Sequence, residues 1–456
     1  MPTLLTRLGW SAYLARQLAK QSRFPFASEA HIAHEQTRRV RAMVRHAYHT
    51  VPHYRETIDR LGLQPDAFRS AADLARLPIL ERDALQRDPD RLSSTAIDAH
   101  DRLTLRTGGS TGAPRAVHHS TRSIVENAAH GERERSIVAA ALGRRVGYRE
   151  TVIGSPRSTA QEVQAYLRAH TIQPRGVRVE RQYLSVLDPV EVTANRMATF
   201  APDVVHGYGS YLAVLFAHLH AERQTTSLPR VVTFSSDGLS DAARRLIRDD
   251  LGIRVLGTYQ AVEAFKIGFE CGEGEGLHLN TDLYPVRIVD EAGDDVPAGE
   301  SGDVIVSNLV NDATVLLNYR LGDQAALLME PCACGRTLPR MTQPLGRLDD
   351  WVMVGETRIH SQSVRTIFTA ESDILQYQVT QRSPRQFQVS LVTRTPALDE
   401  AMERRIAEGF RARLGDSIAV EVTRVPDLPR TSRGKVRAIV PLSDTAGHTI
   451  PSVALS

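Results

Sequence analysis

Lysine is almost missing from this chain. Lys20, Lys266 and Lys435 are the only three in 456 residues, and arginine fills the other 53 of the 56 basic positions. A chain that writes arginine wherever a positive charge will serve makes each surviving lysine a candidate for chemistry that the broad, planar guanidinium cannot perform. Cysteine is equally scarce, with Cys271, Cys332 and Cys334 alone, which excludes the disulfide framework of a small secreted domain. No apolar run reaches 18 residues, so no membrane-spanning helix is expected. A net charge of +3 is too small to argue for a nucleic-acid partner. Aromatic residues make up 5% of the chain and give no special support to an aryl ligand. The first 28 residues scatter Arg7, Arg16 and Lys20 among apolar positions without the apolar block of a signal peptide. An amphipathic opening helix and a cytoplasmic location are expected.

What is present is an ordinary globular composition, 42% hydrophobic and 24% charged, at a length that predicts two or more domains. Ile32, Val40, Met43, Val44 and Ala47 recur at helical spacing over 29–60, with Pro52 closing the run. From about 103, short β-rich runs alternate with helical ones: Thr151–Gly154, Asp203–Val205, Val231–Phe234 and Val255–Leu256 are separated by patterns such as Ser210–Arg223 and Ser240–Leu251. That alternation implies an α/β fold with a mixed or parallel sheet flanked by helices. Strands crowd together over 283–330, which predicts a smaller antiparallel or barrel-like unit. A last α+β segment holds Phe387–Val392, Leu398–Leu414 and Ile418–Val425.

Leu105-Arg106-Thr107-Gly108-Gly109-Ser110-Thr111-Gly112-Ala113-Pro114-Arg115 is the strongest local signal of the first half. Three glycines allow the backbone to approach an anion, Thr107, Ser110 and Thr111 offer hydroxyls, and successive N–H groups can form an anion nest. No Gly-Lys-Ser/Thr follows, so it is not a Walker A loop. A flexible polar loop without ligand is the alternative. Near the other end, Leu428-Pro429-Arg430-Thr431-Ser432-Arg433-Gly434-Lys435-Val436-Arg437 places one lysine among arginines directly after a glycine. A compact ammonium suits a site that touches a phosphate and a carboxylate oxygen together. Otherwise the segment is a solvated basic turn.

Taken in order, these segments resemble the adenylate-forming (acyl-CoA synthetase) superfamily, and more specifically its phenylacetate–CoA ligase branch. The glycine loop is similar to the superfamily's phosphate loop through Thr107, Gly108, Gly109, Ser110, Thr111, Gly112 and Pro114, and departs at Arg115, where lysine is usual. Arg45 through Arg55, followed by Leu77-Pro78-Ile79-Leu80, looks like the branch's opening, with a helix-packing meaning. Tyr259-Gln260-Ala261-Val262-Glu263 resembles a motif whose Glu holds Mg²⁺ on the phosphates and whose Tyr lines the adenine or acyl pocket. Val262 stands where a hydroxyl residue normally touches the α-phosphate. Ser235-Ser236-Asp237-Gly238 occupies the place of the adenine-binding turn. Tyr319-Arg320-Leu321-Gly322-Asp323 is similar to a motif whose Asp accepts the ribose hydroxyls, and Gly346-Arg347-Leu348-Asp349-Asp350 to one whose Arg contacts the nucleotide and whose first Asp is the hinge.

The resemblance makes Lys435 the catalytic lysine and divides the chain at 346. An N-terminal adenylation domain, 1–346, includes the β-barrel-like subdomain, and a small mobile α+β domain, 347–456, carries Lys435. It implies ATP with Mg²⁺, a small carboxylic acid, and transfer of the acyl group to coenzyme A. A carrier-protein thiol or an amine is the alternative acceptor, and a degenerate nucleotide-binding protein, motivated by Arg115 and Val262, is the reading from another class. His206, Tyr208 and Phe234 are candidates for the acyl pocket, although for His206 a satisfied core histidine is the favoured reading. Glu270-Cys271, His278 and Pro331-Cys332-Ala333-Cys334-Gly335-Arg336-Thr337 resemble a pair of segments in the same branch. They form a candidate Cys₃His zinc site of structural type, set against buried free thiols.

Overall fold

The computed structural model describes residues 2–107, 115–156, 158–172, 179–224, 227–344, 351–355, 357–360, 362–369, 371–395 and 399–442. Two compact units emerge, one built from Met1–Tyr148, Arg157–Glu180 and Leu256–Leu345, the other from Arg149–Pro156, Arg181–Val255 and Gly346–Ser456.

The first unit opens with the helix Leu4–Gln21, whose N-terminus is capped by the Thr3 side chain. The long pattern over 29–60 resolves into two helices, Glu29–Thr50 and Pro52–Arg60, joined at the extended residue Val51. Pro52 therefore opens the second helix at its first turn, where its missing N–H costs nothing. The Tyr54 hydroxyl donates to the Val315 carbonyl and accepts from the Leu317 amide, which fastens these helices to the chain before Tyr319. Seven antiparallel strands run in the spatial order Val286–Val289, Ser301–Val306, Tyr319–Leu328, Arg340–Met341, Leu277–Leu279, Phe265–Phe269 and Arg254–Ala261. Their inner face packs Leu80, Val117, Ile267, Leu279, Tyr284, Tyr319 and Met341 into one core. A buried arginine also belongs here. Arg133 clamps Asp282 at 2.7 and 2.8 Å, reaches Asn280 and Gln21, and lies 4.4 Å from the centroid of the Phe24 ring.

The second unit is α/β. Its strands Val231–Ser235, Val204–Tyr208, Arg149–Gly154 and Glu180–Ser185 lie side by side in that order, the first three mutually parallel. Helices Val190–Phe200 and Gly209–Ala221 pack on them around Ile153, Val205, Leu215 and Phe216. The chain after 350 adds a sheet in the order Ala419–Arg424, Gln386–Thr393, Ile374–Ser383, Ile439–Val440, covered by Gln362–Thr369 and Glu400–Leu414. A smaller cluster, Val214, Ala243, Leu246, Leu375, Val392 and Leu428, holds this segment against the helix Gly209–Ala221. Among the described residues no helix is long and apolar enough to cross a membrane.

Candidate active site

In the first unit the strands Arg102–Arg106 and Ala116–Ser120 pair with Arg106 opposite Ala116. Thr107 and Arg115 close the hairpin above them: the Thr107 amide donates to the Arg115 carbonyl at 2.9 Å, and the Arg115 amide to the Thr107 hydroxyl at 3.1 Å. The expected phosphate-loop positions Gly108, Gly109, Ser110, Thr111 and Gly112 lie outside the described residues, as do Arg347 and Asp349.

Arg115 is aimed at Glu263. Its Nη1 stands 3.7 Å from Glu263 Oε1, and the buried Tyr319 hydroxyl lies 3.5 Å from the same oxygen. Burial raises the Tyr319 phenol well above its ordinary value, aided by the Glu263 charge, so it remains a neutral donor. The backbone on either side of the Glu263 side chain is held as well. Asn308 Nδ2 donates to the Glu263 carbonyl at 2.8 Å, and His119 Nε2 lies 2.9 Å from the Val262 carbonyl. His119 is fully buried beside Phe265, and that burial holds it at about 3, so it stays neutral and its ring N–H can donate. The side chain of Val262 packs against the core, which gives the apolar residue at that position a packing role. No further carboxylate joins Glu263 in a metal-binding group among the described residues. Glu263 is the residue that would hold a Mg²⁺ ion here, and its carboxylate suits that hard cation.

Four residues before Glu263, in the strand Arg254–Ala261, the Tyr259 hydroxyl donates to Asp323 Oδ2 at 2.8 Å. The second carboxylate oxygen of Asp323 can accept a further hydroxyl. Gly322 reaches this position with φ +84, and a Cβ there would meet the Arg82 side chain at 2.6 Å. Gln260 turns outward to Thr258.

The second unit holds Lys435. Its turn is closed by three bonds: Gly434 N to the Thr431 carbonyl at 2.7 Å, Thr431 N to the Lys435 carbonyl at 2.9 Å, and Lys435 N to Thr431 Oγ1 at 3.1 Å. Beneath it lies the start of the helix Gly209–Ala221, where Asp237 binds Ser210 twice, from the amide at 3.1 Å and from the hydroxyl at 2.5 Å. Burial raises the Asp237 carboxyl above its ordinary value, against the pull of these two bonds and of the Lys435 and Arg430 charges. Asp237 is thus occupied with the helix, while Ser236 beside it is exposed at φ +76.

The register of the parallel strands separates the three expected pocket residues. His206 pairs with Thr233 and Tyr208 with Ser235, whereas Phe234 pairs with Gly207. Successive side chains alternate between faces. His206 and Tyr208 therefore share one register face with Thr233 and Ser235, and Phe234 takes the other, in the core beneath Arg244; the Tyr208 ring at the strand's end also packs against that core. His206 is held between hydroxyls, Thr233 at 2.8 Å and Ser235 at 3.3 Å.

Cys271, His278, Cys332 and Cys334 converge in the first unit, their ligand atoms all within 4.8 Å of one another. Sγ of Cys271 and Cys332 are 3.5 Å apart, and Cys334 Sγ is 3.3 Å from His278 Nε2. Burial, with Arg336 and Arg340 nearby, holds His278 at about 4, in the neutral form that ligates metal. The set fits a closed tetrahedral zinc. A Cβ on Gly274 would come within 3.1 Å of Cys332 Sγ, so the turn packs tightly over the sulfurs.

Residues 354–441 match the CapK C-terminal domain family. The chain is 25% identical over 441 residues to a phenylacetate–coenzyme A ligase of Thermus thermophilus, covering 89% of this chain and 96% of the relative. It is 29% identical over 340 residues to the enzyme of the same name from Escherichia coli, covering 70% and 72%. Among solved structures, 2-hydroxyisobutyryl-CoA ligase with a bound acyl-adenylate superposes with a TM-score of 0.71 over 93% of both chains, at 18% identity. That likeness shows a shared fold.

Proposed function

With this chain a member of the adenylate-forming superfamily, on its phenylacetate–CoA ligase-like branch, we propose that it activates a small carboxylic acid with ATP and passes the acyl group to coenzyme A. The observation that carries the proposal is the company of Lys435: a lysine in a chain that avoids lysine, on a tightly bonded turn. The other motifs supply the matching parts, with Asp323 for the ribose beside Tyr259 and Arg115 against Glu263 for the phosphates.

In the first half-reaction a carboxylate oxygen attacks the α-phosphorus, a P–O bond forms, and the bond to the bridging oxygen breaks as pyrophosphate leaves. Lys435 neutralises the two anions that must meet, and Arg115 with the loop after Thr107 holds the departing group. This is catalysis by position and charge, with no covalent enzyme intermediate. Glu263 is the residue that would hold Mg²⁺, which neutralises phosphate charge when bound. In the second half-reaction the thiol sulfur attacks the acyl carbon, AMP leaves with the former carboxylate oxygen, and the thiol proton passes to solvent. The segment 347–456 acts here as the mobile domain with Asp349 as its hinge, so that Lys435 withdraws before the thiol enters. His206 and Tyr208 line the acyl side, whereas Phe234 belongs to the core. The Cys₃His cluster holds a structural zinc, and the protein works in the cytoplasm.

The test is a pyrophosphate-release screen over aryl, branched and straight-chain acids, with and without coenzyme A. Acid-dependent pyrophosphate release, with thioester formed only when coenzyme A is present, supports the proposal. Release that ignores every acid overturns it.

A further inference from the structure

Arg430 carries a relationship that spans 220 residues of sequence. Its side chain is only 8% exposed. Nη1 donates to the Ser210 hydroxyl at 3.0 Å and to the Gly434 carbonyl at 3.3 Å, Nη2 reaches Asp427 at 3.3 Å, and the guanidinium lies 5.2 Å from the centroid of the Tyr211 ring. The backbone of Arg430 bridges to Val436, so the same residue frames the Lys435 turn and ties it down. Ser210 has one proton to give, and Asp237 takes it. The hydroxyl lone pairs remain for Arg430, and the sequence carboxylate, hydroxyl, guanidinium is polarised in one direction, which strengthens each bond.

When Arg430 withdraws, the Ser210 hydroxyl keeps Asp237, and Arg430 keeps Asp427 and Gly434 on its own segment. Neither the hydroxyl nor the guanidinium is left unpaired, which spares this contact the usual large cost of breaking a buried polar pair. The Gln376 amide, which donates to the Ser210 carbonyl, lies on the same segment as Arg430 and leaves with it. Closing adds a charge-assisted bond and the cover of Tyr211.

We propose that Asp237, Ser210 and Arg430 form a detachable latch that positions Lys435 for adenylate formation and is not needed for thioester formation. The proposal rests on the reading of Lys435 as the adenylation lysine. Arg430 is a positioning residue, acting through the turn that carries Lys435.

The test uses the full-length protein and the variants Arg430→Met, Arg430→Lys and Ser210→Ala. Two half-reactions are followed: ATP–pyrophosphate exchange, with the best wild-type substrate from phenylacetate, benzoate, 2-hydroxyisobutyrate and octanoate, and thioester formation from that acid's synthetic adenylate and coenzyme A. Loss of one charge-assisted bond predicts that Arg430→Met and Ser210→Ala slow exchange by about ten- to a hundred-fold while thioester formation stays within about twofold. Arg430→Lys recovers part of the exchange rate. Equal losses in both half-reactions, or none in either, overturn the latch. If no acid supports exchange in the wild type, the functional reading fails, and hydrogen exchange decides the latch separately. Residues 429–436 lose amide protection in Arg430→Met while helix Gly209–Ala221 keeps its own, and unchanged protection of the turn refutes it.

Discussion

A Cβ placed on Gly434 would stand 1.9 Å from Cγ1 of Val186. The residue before Lys435 is therefore seated directly on a buried valine, and it does so at φ +79, a conformation that side chains resist. Two separate penalties meet at one position. Gly434→Ala should lower acid-dependent pyrophosphate exchange, and adding Val186→Ala should restore part of it by removing the clash. The φ penalty, about 1 kcal/mol, persists in the double variant. Additive losses in the two variants, read by exchange rate with melting temperature as control, would contradict the contact.

Tyr259→Phe removes the phenol that donates to Asp323 at 2.8 Å and leaves the ring in place. If Asp323 holds the ribose as proposed, it then turns more freely and its grip weakens. The expected outcome is a rise of about three- to ten-fold in KM for ATP, the effect of one partly solvated hydrogen bond to a charged group. The value of kcat at saturating ATP should change little. A fall in kcat with unchanged KM would place Tyr259 elsewhere in the reaction.

The Cys271, His278, Cys332 and Cys334 cluster predicts one zinc per chain in protein purified without chelator, measured by elemental analysis. Cys332→Ser should lose the metal together with several degrees of melting temperature, because a closed site contributes its binding energy to folding. Adenylate formation by the folded remainder should survive. Metal-free wild-type protein with the same melting temperature as Cys332→Ser contradicts the site.

His119 gives a pH dependence with a definite sign. Burial holds it at about 3, against an ordinary histidine value of about 6.5. The unfolded chain therefore binds this proton more readily than the folded one. Stability is fully present above about pH 6.5 and is lost as the pH falls from there toward 3. His119→Asn, a neutral side chain that can still donate to the Val262 carbonyl, should flatten the loss of melting temperature between pH 6.5 and 4. An unchanged slope would mean that other groups set the acid limb.

Much of this arrangement is legible in the sequence because its signals are local. The alternation of β-rich and helical runs gives the α/β unit, and a hydroxyl and glycine pattern marks the hairpin that Thr107 and Arg115 close. The cysteine spacing brings four ligands together as two short segments. What escapes is set by pairing across distance. The register that turns Phe234 into the core while His206 and Tyr208 face the other way depends on which residues sit opposite one another in neighbouring strands. Periodicity within the strand Val231–Ser235 does not carry that information. Pro52 reads as a stop from its ring alone, yet after the extended Val51 it starts a helix. His119 and Asn308 have no local motif, since each acts on a partner 45 or more residues away. Arg430 belongs to the motif that ends at Lys435, yet nothing local names Ser210, 220 residues away, as its partner.

ATP–pyrophosphate exchange on Lys435→Ala and Lys435→Arg decides whether Lys435 makes the adenylate, with nucleotide binding measured on the same preparations. Both variants should bind ATP as the wild type does, and Lys435→Ala should lose exchange by at least about a hundred-fold, the scale of a lost transition-state charge contact. Lys435→Arg should remain close to the alanine variant, because a guanidinium cannot place a point charge between two oxygens. Wild-type exchange in Lys435→Ala would rule out that role for Lys435.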